Sequence, residues 1–301
     1  MAKEDKHDLS YYLKCCVGGA LACGLTHTLI TPLDLVKCRK QIDPKIYSSL
    51  GSGIKTIKAA EGFKGLYLGW QPTLIGYSLQ GLGKFGFYEF FKDVYKGIVG
   101  AANAKKYQTT GFLVSSACAE FIADIFLCPM ESLKVRMQTA AKGTFPTSFT
   151  PGIAELKKEG TQGFYKGLTP LWLRQIPYTM IKFAAFERTV QFFYRTIFTK
   201  PKSSYSKGTQ LSITFVSGYW AGIFCAIVSH PADTMVSKLN NLKTEGSMLS
   251  NVSKIYGDIG FSGLWRGLST RIIMIGTLTG LQWWIYDSFK TMAGLQTTGG
   301  K

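Results

Sequence analysis

The sequence predicts an all-α membrane protein: six transmembrane helices in three pseudo-threefold repeats, with short helices joining the two members of each pair. Three observations predict it. Hydrophobic residues make up 46% of the 301-residue chain and charged ones only 18%, which is charge-poor for a soluble domain. Six apolar segments, near residues 11–37, 70–95, 111–136, 168–194, 211–237 and 268–289, are each long enough to cross a hydrocarbon core of about 30 Å as a helix. One signature also recurs at roughly 100-residue intervals: PLDLVKCRKQ from Pro32, PMESLKVRMQ from Pro129 and PADTMVSKLN from Pro231.

The repeats span 10–100, 108–200 and 208–296. Each opens with an apolar segment that ends at its signature proline, whose ring and missing N–H end or bend a helix. A connecting segment leads to a downstream turn: EGFKGLYLG from Glu61, EGTQGFYKG from Glu159 and IGFSGLWRG from Ile259. A second apolar helix then closes on YEFFK (88–92), FERTV (186–190) or YDSFK (286–290). Lys84, Glu120, Asp124, Arg174 and Lys182 interrupt the apolar segments. Charges are costly against lipid, so these are expected to face a shared, water-filled interior.

The 35 basic residues against 18 acidic ones give a formal charge of +17, an excess suited to nucleic acid, an anionic membrane surface or an anionic solute. Six membrane spans argue against nucleic acid. The seven cysteines (15, 16, 23, 38, 118, 128, 225) are odd in number and form no CxxC pair, which argues against a disulfide framework. The opening MAKEDKHDLS reads as neither a signal peptide nor an Arg/Ser-rich transit peptide, so targeting is expected to be internal. No nucleophile constellation or cofactor loop points to an enzyme, and no cofactor is expected.

Equivalent positions of the three repeats can be compared within the one chain. Twelve residues before the signature acids Asp34, Glu131 and Asp233 stand Ala22, Ala119 and Ala221; sixteen before stand Gly18, Ser115 and Ser217. This small-xxx-small pattern predicts close helix packing in lipid. Seven before stand His27, Asp124 and Ala226, and eleven before stand Cys23, Glu120 and Gly222. At about 100° per residue both offsets fall within roughly 20° of the acid's own direction, so His27, Glu120 and Asp124 form one inward stripe suited to handling a proton. On the second helices, five residues before Glu89, Glu187 and Asp287 stand Lys84, Lys182 and Gln282, while Arg174 is the single cation thirteen before. A guanidinium suits bidentate recognition of an oxyanion, and the lysines add point charges. Gln80 and Gln175 complete the candidate binding set.

These repeats resemble the mitochondrial carrier family, whose unit carries P-x-[DE]-x-x-[KR]-x-[KR] and an aromatic-basic-glycine turn. The THT before the first signature, GYSLQGLGKFGFYEFFK, AEFIADIFLCPMES, RQIPYTMIKFAAFER and SHPADTMVSKLN look like its phosphate carrier branch. The resemblance implies a multi-pass protein of the mitochondrial inner membrane, surrounded by its lipid and functional as a monomer. It implies import of inorganic phosphate with a proton, or against hydroxide, by alternating access. It further implies a matrix gate of Asp34, Lys37, Glu131, Lys134 and Asp233, with Val236 in the third basic position and Gln41, Gln138 and Asn240 beneath. A cytoplasmic gate of Glu89, Lys92, Glu187, Asp287 and Lys290 has Val190 in the second basic position. Each gate is therefore expected to hold at most two ion pairs.

The cysteines motivate an alternative or additional cargo. Cys16, Cys23 and His27 share one face at offsets of seven and four, and thiolate with imidazole suits Cu(I). Buried cysteines also serve simply as packing, so both readings stand at this point.

Overall fold

A computed structural model describes residues 7–43, 45–141, 143–241, 248–265 and 267–299, without the side chains of 41, 42, 236–241, 248–252 and 270. Among the described residues it is helical with no strand. The helices are α1 (Leu9–Leu29), α2 (Thr31–Ile42), α3 (Leu50–Gly65), α4 (Trp70–Val99), α5 (Ala101–Lys106), α6 (Gln108–Thr139), α7 (Phe149–Lys158), α8 (Gly160–Tyr165), α9 (Leu168–Phe192), α10 (Lys207–Asn241), α11 (Met248–Gly263) and α12 (Leu268–Met292). The long helices pack in sequence, α1 on α4, α4 on α6, α6 on α9, α9 on α10 and α10 on α12, and α12 returns to α1 to close a ring.

The signature prolines act differently in the three repeats. Pro32 sits in the first turn of α2, where no N–H is needed, and the chain bends by 59° between α1 and α2. Pro129 and Pro231 lie inside the continuous helices α6 and α10. Among the described residues α6 and the 207–235 part of α10 are apolar and long enough to cross a membrane by composition, and the bent α1–α2 pair makes a third. The other three, α4, α9 and α12, have 30, 25 and 25 residues. At about 1.5 Å per residue they also exceed the hydrocarbon core, but their mean hydropathy is lowered by polar groups turned to the ring interior.

The outer surface confirms that orientation. Leu9, Leu13, Val17, Leu21, Leu25 and Leu29, every fourth residue of α1, are exposed, as are Val216, Trp220, Phe224 and Val228 of α10. The small-residue pattern is buried: Ala22, Ala119, Ala221, Ser115 and Ser217 are each fully covered. The closest helix approach is one residue away, where a Cβ on Gly19 would meet the Gly81 carbonyl oxygen at 2.2 Å. Gly222 against Gly276 plays the same part between α10 and α12, at 2.6 Å from Cβ to Cα.

The connecting helices are pinned by a repeated ion pair. Arg39 grips Glu61 at 2.5 and 3.1 Å, and Arg136 grips Glu159 in the equivalent place. The Arg136 guanidinium holds the Glu159 carboxyl below its usual range. Gly69 and Gly267 precede α4 and α12 with φ of +83° and +91°, a left-handed turn that lets the chain re-enter the ring sharply.

Candidate functional site

Three layers of charge lie along the ring interior. The middle layer is the most buried: Gln80, Lys84, Glu120, Asp124, Lys182 and Gln282 are all at most 3% exposed. Helix α4 brings Lys84 within 2.9 Å of Glu120 on α6. One turn along, the Gln80 amide donates to Glu120 at 2.7 Å and to Asp124 at 3.1 Å, so the two carboxylates share one donor. Across the ring, Lys182 donates to Gln282 Oε1 at 3.3 Å, and the Gln282 amide nitrogen lies 3.1 Å from His27 Nε2. Because Gln282 Oε1 is taken by Lys182, its amide nitrogen donates and His27 Nε2 accepts. His27 also stacks on Tyr77, with ring centroids 3.7 Å apart.

The layer at the proline ends contains Asp34, Glu131, Asp233 and Lys134. Lys134 is buried and bridges Asp34 of repeat one at 2.7 Å and Glu131 of its own helix at 2.9 Å. Its ammonium lies 5.2 Å from the Tyr77 ring, which links this layer to His27. Lys37 is exposed and makes no ion pair among the described residues. Asp233 has a partner that the signature does not supply, Arg271 of α12, which also donates to Ser229. Every acid of this layer therefore has a base, although among the described residues only Lys134–Asp34 joins two repeats. Gln138 donates to the Leu68 carbonyl at 3.1 Å; the side chains of Gln41, Val236 and Asn240 lie outside the described residues.

At the opposite end, Lys92 bridges Glu89 at 3.0 Å and Glu187 at 3.2 Å, and Tyr11 donates to Glu89 at 2.9 Å. Asp287 has no base and Lys290 no carboxylate within ion-pair distance among the described residues; both contact Thr298 of the C-terminal segment. The two end layers differ in access. The side chains of Asp34 and Asp233 are 30% and 29% exposed, while those of Glu89 and Glu187 are 5% and 4%. Water thus reaches Asp34 and Asp233 of the proline-end layer more freely than Glu89 and Glu187 of the other. Arg174 is exposed, with Glu131, Asp233 and Asp34 as its opposing charges, and does not join Lys84 and Lys182 in the buried centre. Gln175 beside it is half-buried.

The cysteines do not gather around His27. The Cys16 sulfur lies against Gly86, Cys23 packs against Gly81, and among the described residues no three His, Cys, Asp or Glu side chains are placed to share an ion. Two functional candidates eluded the sequence reading. Arg271 stands sixteen before Asp287, where the other repeats have Thr73 and Leu171, so the same comparison at one further offset reveals it. Thr298 lies beyond the last repeat and has no equivalent to compare.

A closed ring of six helices in three repeats, charged at its centre and at both ends, defines a membrane solute carrier and not an enzyme. The mitochondrial carrier protein family profile matches residues 8–98, 105–196 and 208–296, and the chain belongs to the mitochondrial carrier family, whose members are multi-pass proteins of the inner membrane. It is 56% identical over 290 residues to a probable mitochondrial phosphate carrier protein of Schizosaccharomyces pombe, covering 96% of this chain and 93% of that protein. It is 56% identical to the mitochondrial phosphate carrier protein of Caenorhabditis elegans (95% and 82% covered) and 53% identical to human solute carrier family 25 member 3 (96% and 80%).

Proposed function

We propose that this chain carries inorganic phosphate into the matrix together with a proton, or in exchange for hydroxide, by alternating access. The names of the relatives support the substrate, and the buried ion pair Lys84–Glu120 beside Asp124, Lys182 and His27 carries the reading. An incoming oxyanion takes Lys84 and Lys182 as its partners and so displaces Glu120. The freed carboxylate is buried next to Asp124 and is neutralised by a proton, because two unpaired carboxylates cannot both stay charged there. Anion and proton are thereby linked through one salt bridge, and for a monoanionic phosphate the charge of the proton cancels that of the anion.

The proline-end layer is the matrix gate, with Asp34, Glu131, Asp233, Lys134 and Arg271 as its members and Lys37 at its rim. The layer of Glu89, Lys92, Glu187, Asp287 and Lys290 is the cytoplasmic gate. In this state the matrix gate is the wetter of the two, and Arg174 with Gln175 guides the anion between the centre and that side. His27 lies between the centre and Lys134, stacked on Tyr77, and passes the proton along the same route. The monomer contains the whole pathway.

The test is uptake by liposomes holding the purified chain, comparing labelled phosphate, Cu(I) and a dicarboxylate with and without a pH gradient. Phosphate uptake driven by an acidic exterior and lost in Arg174→Ala supports the reading. Copper uptake that needs Cys23 and ignores Arg174 overturns it.

A further inference from the structure

The pattern of the cytoplasmic layer is broken once, at Val190, and that break has a structural complement. Lys92 already serves Glu89 and Glu187, so the acid left without a base among the described residues is Asp287. It is fully buried, where an unpartnered carboxylate is costly. Its partners are instead neutral donors. The Thr298 backbone N–H lies 2.9 Å from both carboxylate oxygens, the Thr298 hydroxyl donates to Oδ1 at 2.7 Å, and Thr214 donates to Oδ2 at 2.7 Å. The same Thr298 hydroxyl accepts from Lys290 at 3.1 Å, and so relays between the acid and base of repeat three.

The segment carrying Thr298 is strapped in place by other parts of the ring. Lys202 donates to the carbonyls of Thr297 at 2.6 Å and Gly299 at 2.5 Å, and the Thr297 hydroxyl donates to Gln210 at 3.2 Å. Gly299 lies against the side chain of Val190 itself, where an added Cβ would come within 2.8 Å, and 3.2 Å from a Glu187 oxygen. Thr297 and Thr298 are 5% and 4% exposed, the burial of core residues.

We propose that Thr298 is the third member of this closure: it stands in for the base that repeat two lacks at Val190, and Thr297–Gly299 withdraws when this mouth opens. Thr298 acts as a positioning residue, holding Asp287 and Lys290 together while the opposite side is open. A valine at position 190 then leaves room for a removable neutral strap in place of a permanent lysine. The inference rests on the alternating-access reading above.

Cys15 is a built-in reporter of the closure. It is fully buried just inside this layer, among Tyr11, Tyr286, Glu89 and Lys290. In proteoliposomes its reaction with a membrane-impermeant maleimide is followed by mass spectrometry, alongside the kcat and KM of labelled phosphate exchange. Thr298→Ala removes one hydrogen bond to a charged group and is expected to raise Cys15 labelling by about tenfold, with an altered KM for external phosphate. Thr298→Ser is expected to match the wild type, and a chain ending at Leu295 to label at least as fast as Thr298→Ala. Wild-type labelling and KM in Thr298→Ala, or a serine variant that behaves like alanine, overturns the proposal. Should the wild type move no phosphate, the transport reading fails, while Cys15 labelling still decides whether Thr298 closes the mouth.

Discussion

Replacing Lys84 separates its structural role from its role toward the anion. The Lys84–Glu120 pair is 2.9 Å long, with side chains 4% and 0% exposed. Lys84→Met leaves Glu120 buried without its cation, a loss of about 3 to 5 kcal/mol for a broken buried pair. The Gln80 amide at 2.7 Å still serves Glu120, which places the expected loss near the lower end, about 3 kcal/mol. Lys84→Met with Glu120→Gln removes both charges at nearly constant volume, and stability is expected to return to within about 1 kcal/mol of the wild type. The coupling energy of the cycle is then about 2 kcal/mol or more. Thermal unfolding of the four purified forms gives the stability arm, and phosphate uptake into liposomes gives the functional arm. The single and the double variant should both lose uptake, because the anion has lost its lysine. Uptake restored in the double variant would show that Lys84 merely balances Glu120, and the assignment of Lys84 to the substrate would be wrong.

Further outcomes follow from the same geometry. Gly19→Ala drives a Cβ into the Gly81 carbonyl, backbone that cannot step aside, and should lower stability by at least about 1 to 3 kcal/mol, whereas Gly97→Ala, with open space around it, should raise it by up to about 1 kcal/mol in the same thermal assay. His27→Ala should preserve phosphate exchange but flatten the dependence of net uptake on external pH; an unchanged profile removes His27 from the proton route. Burial lowers the Lys202 ammonium to about pKa 8 from its usual 10.5, so between those values the folded chain binds fewer protons than the unfolded one and its stability rises with pH. Removing the segment after Leu295 uncovers Lys202, and the difference in Tm between full-length and shortened chains should therefore widen as pH climbs from about 8 to 10.

Most of the architecture was legible because threefold repetition supplies its own comparison. The burial of Ala22, Ala119 and Ala221 and the inward stripe of His27, Glu120 and Asp124 follow from helical offsets counted from one acid. Lys84 and Lys182 emerged in the same way, as differences at an otherwise equivalent position. Offsets alone, however, place a residue by direction and height, not by how far a side chain reaches or how open its surroundings are. Arg174 was grouped with the two lysines by charge, yet it is exposed, with the proline-end acids as its opposing charges. Cys16, Cys23 and His27 share a face by offset, but Cys16 and Cys23 pack against Gly86 and Gly81, and among the described residues no three metal-ligating side chains come together. The partners that complete the broken layers, Arg271 and Thr298, come from outside the signature, and a pattern search centred on the signature passes over them. The contact of Thr298 with Asp287 depends on tertiary docking of a segment with no periodicity of its own.

The coupling of anion to proton through Lys84 and Glu120 is tested most directly by recording labelled phosphate uptake and luminal pH together in one liposome preparation. For the wild type the lumen should acidify in fixed proportion to the phosphate taken up. For Glu120→Gln, whose side chain has no charge to neutralise, phosphate exchange should persist while acidification per phosphate falls sharply. Acidification per phosphate that is unchanged in Glu120→Gln would contradict the account.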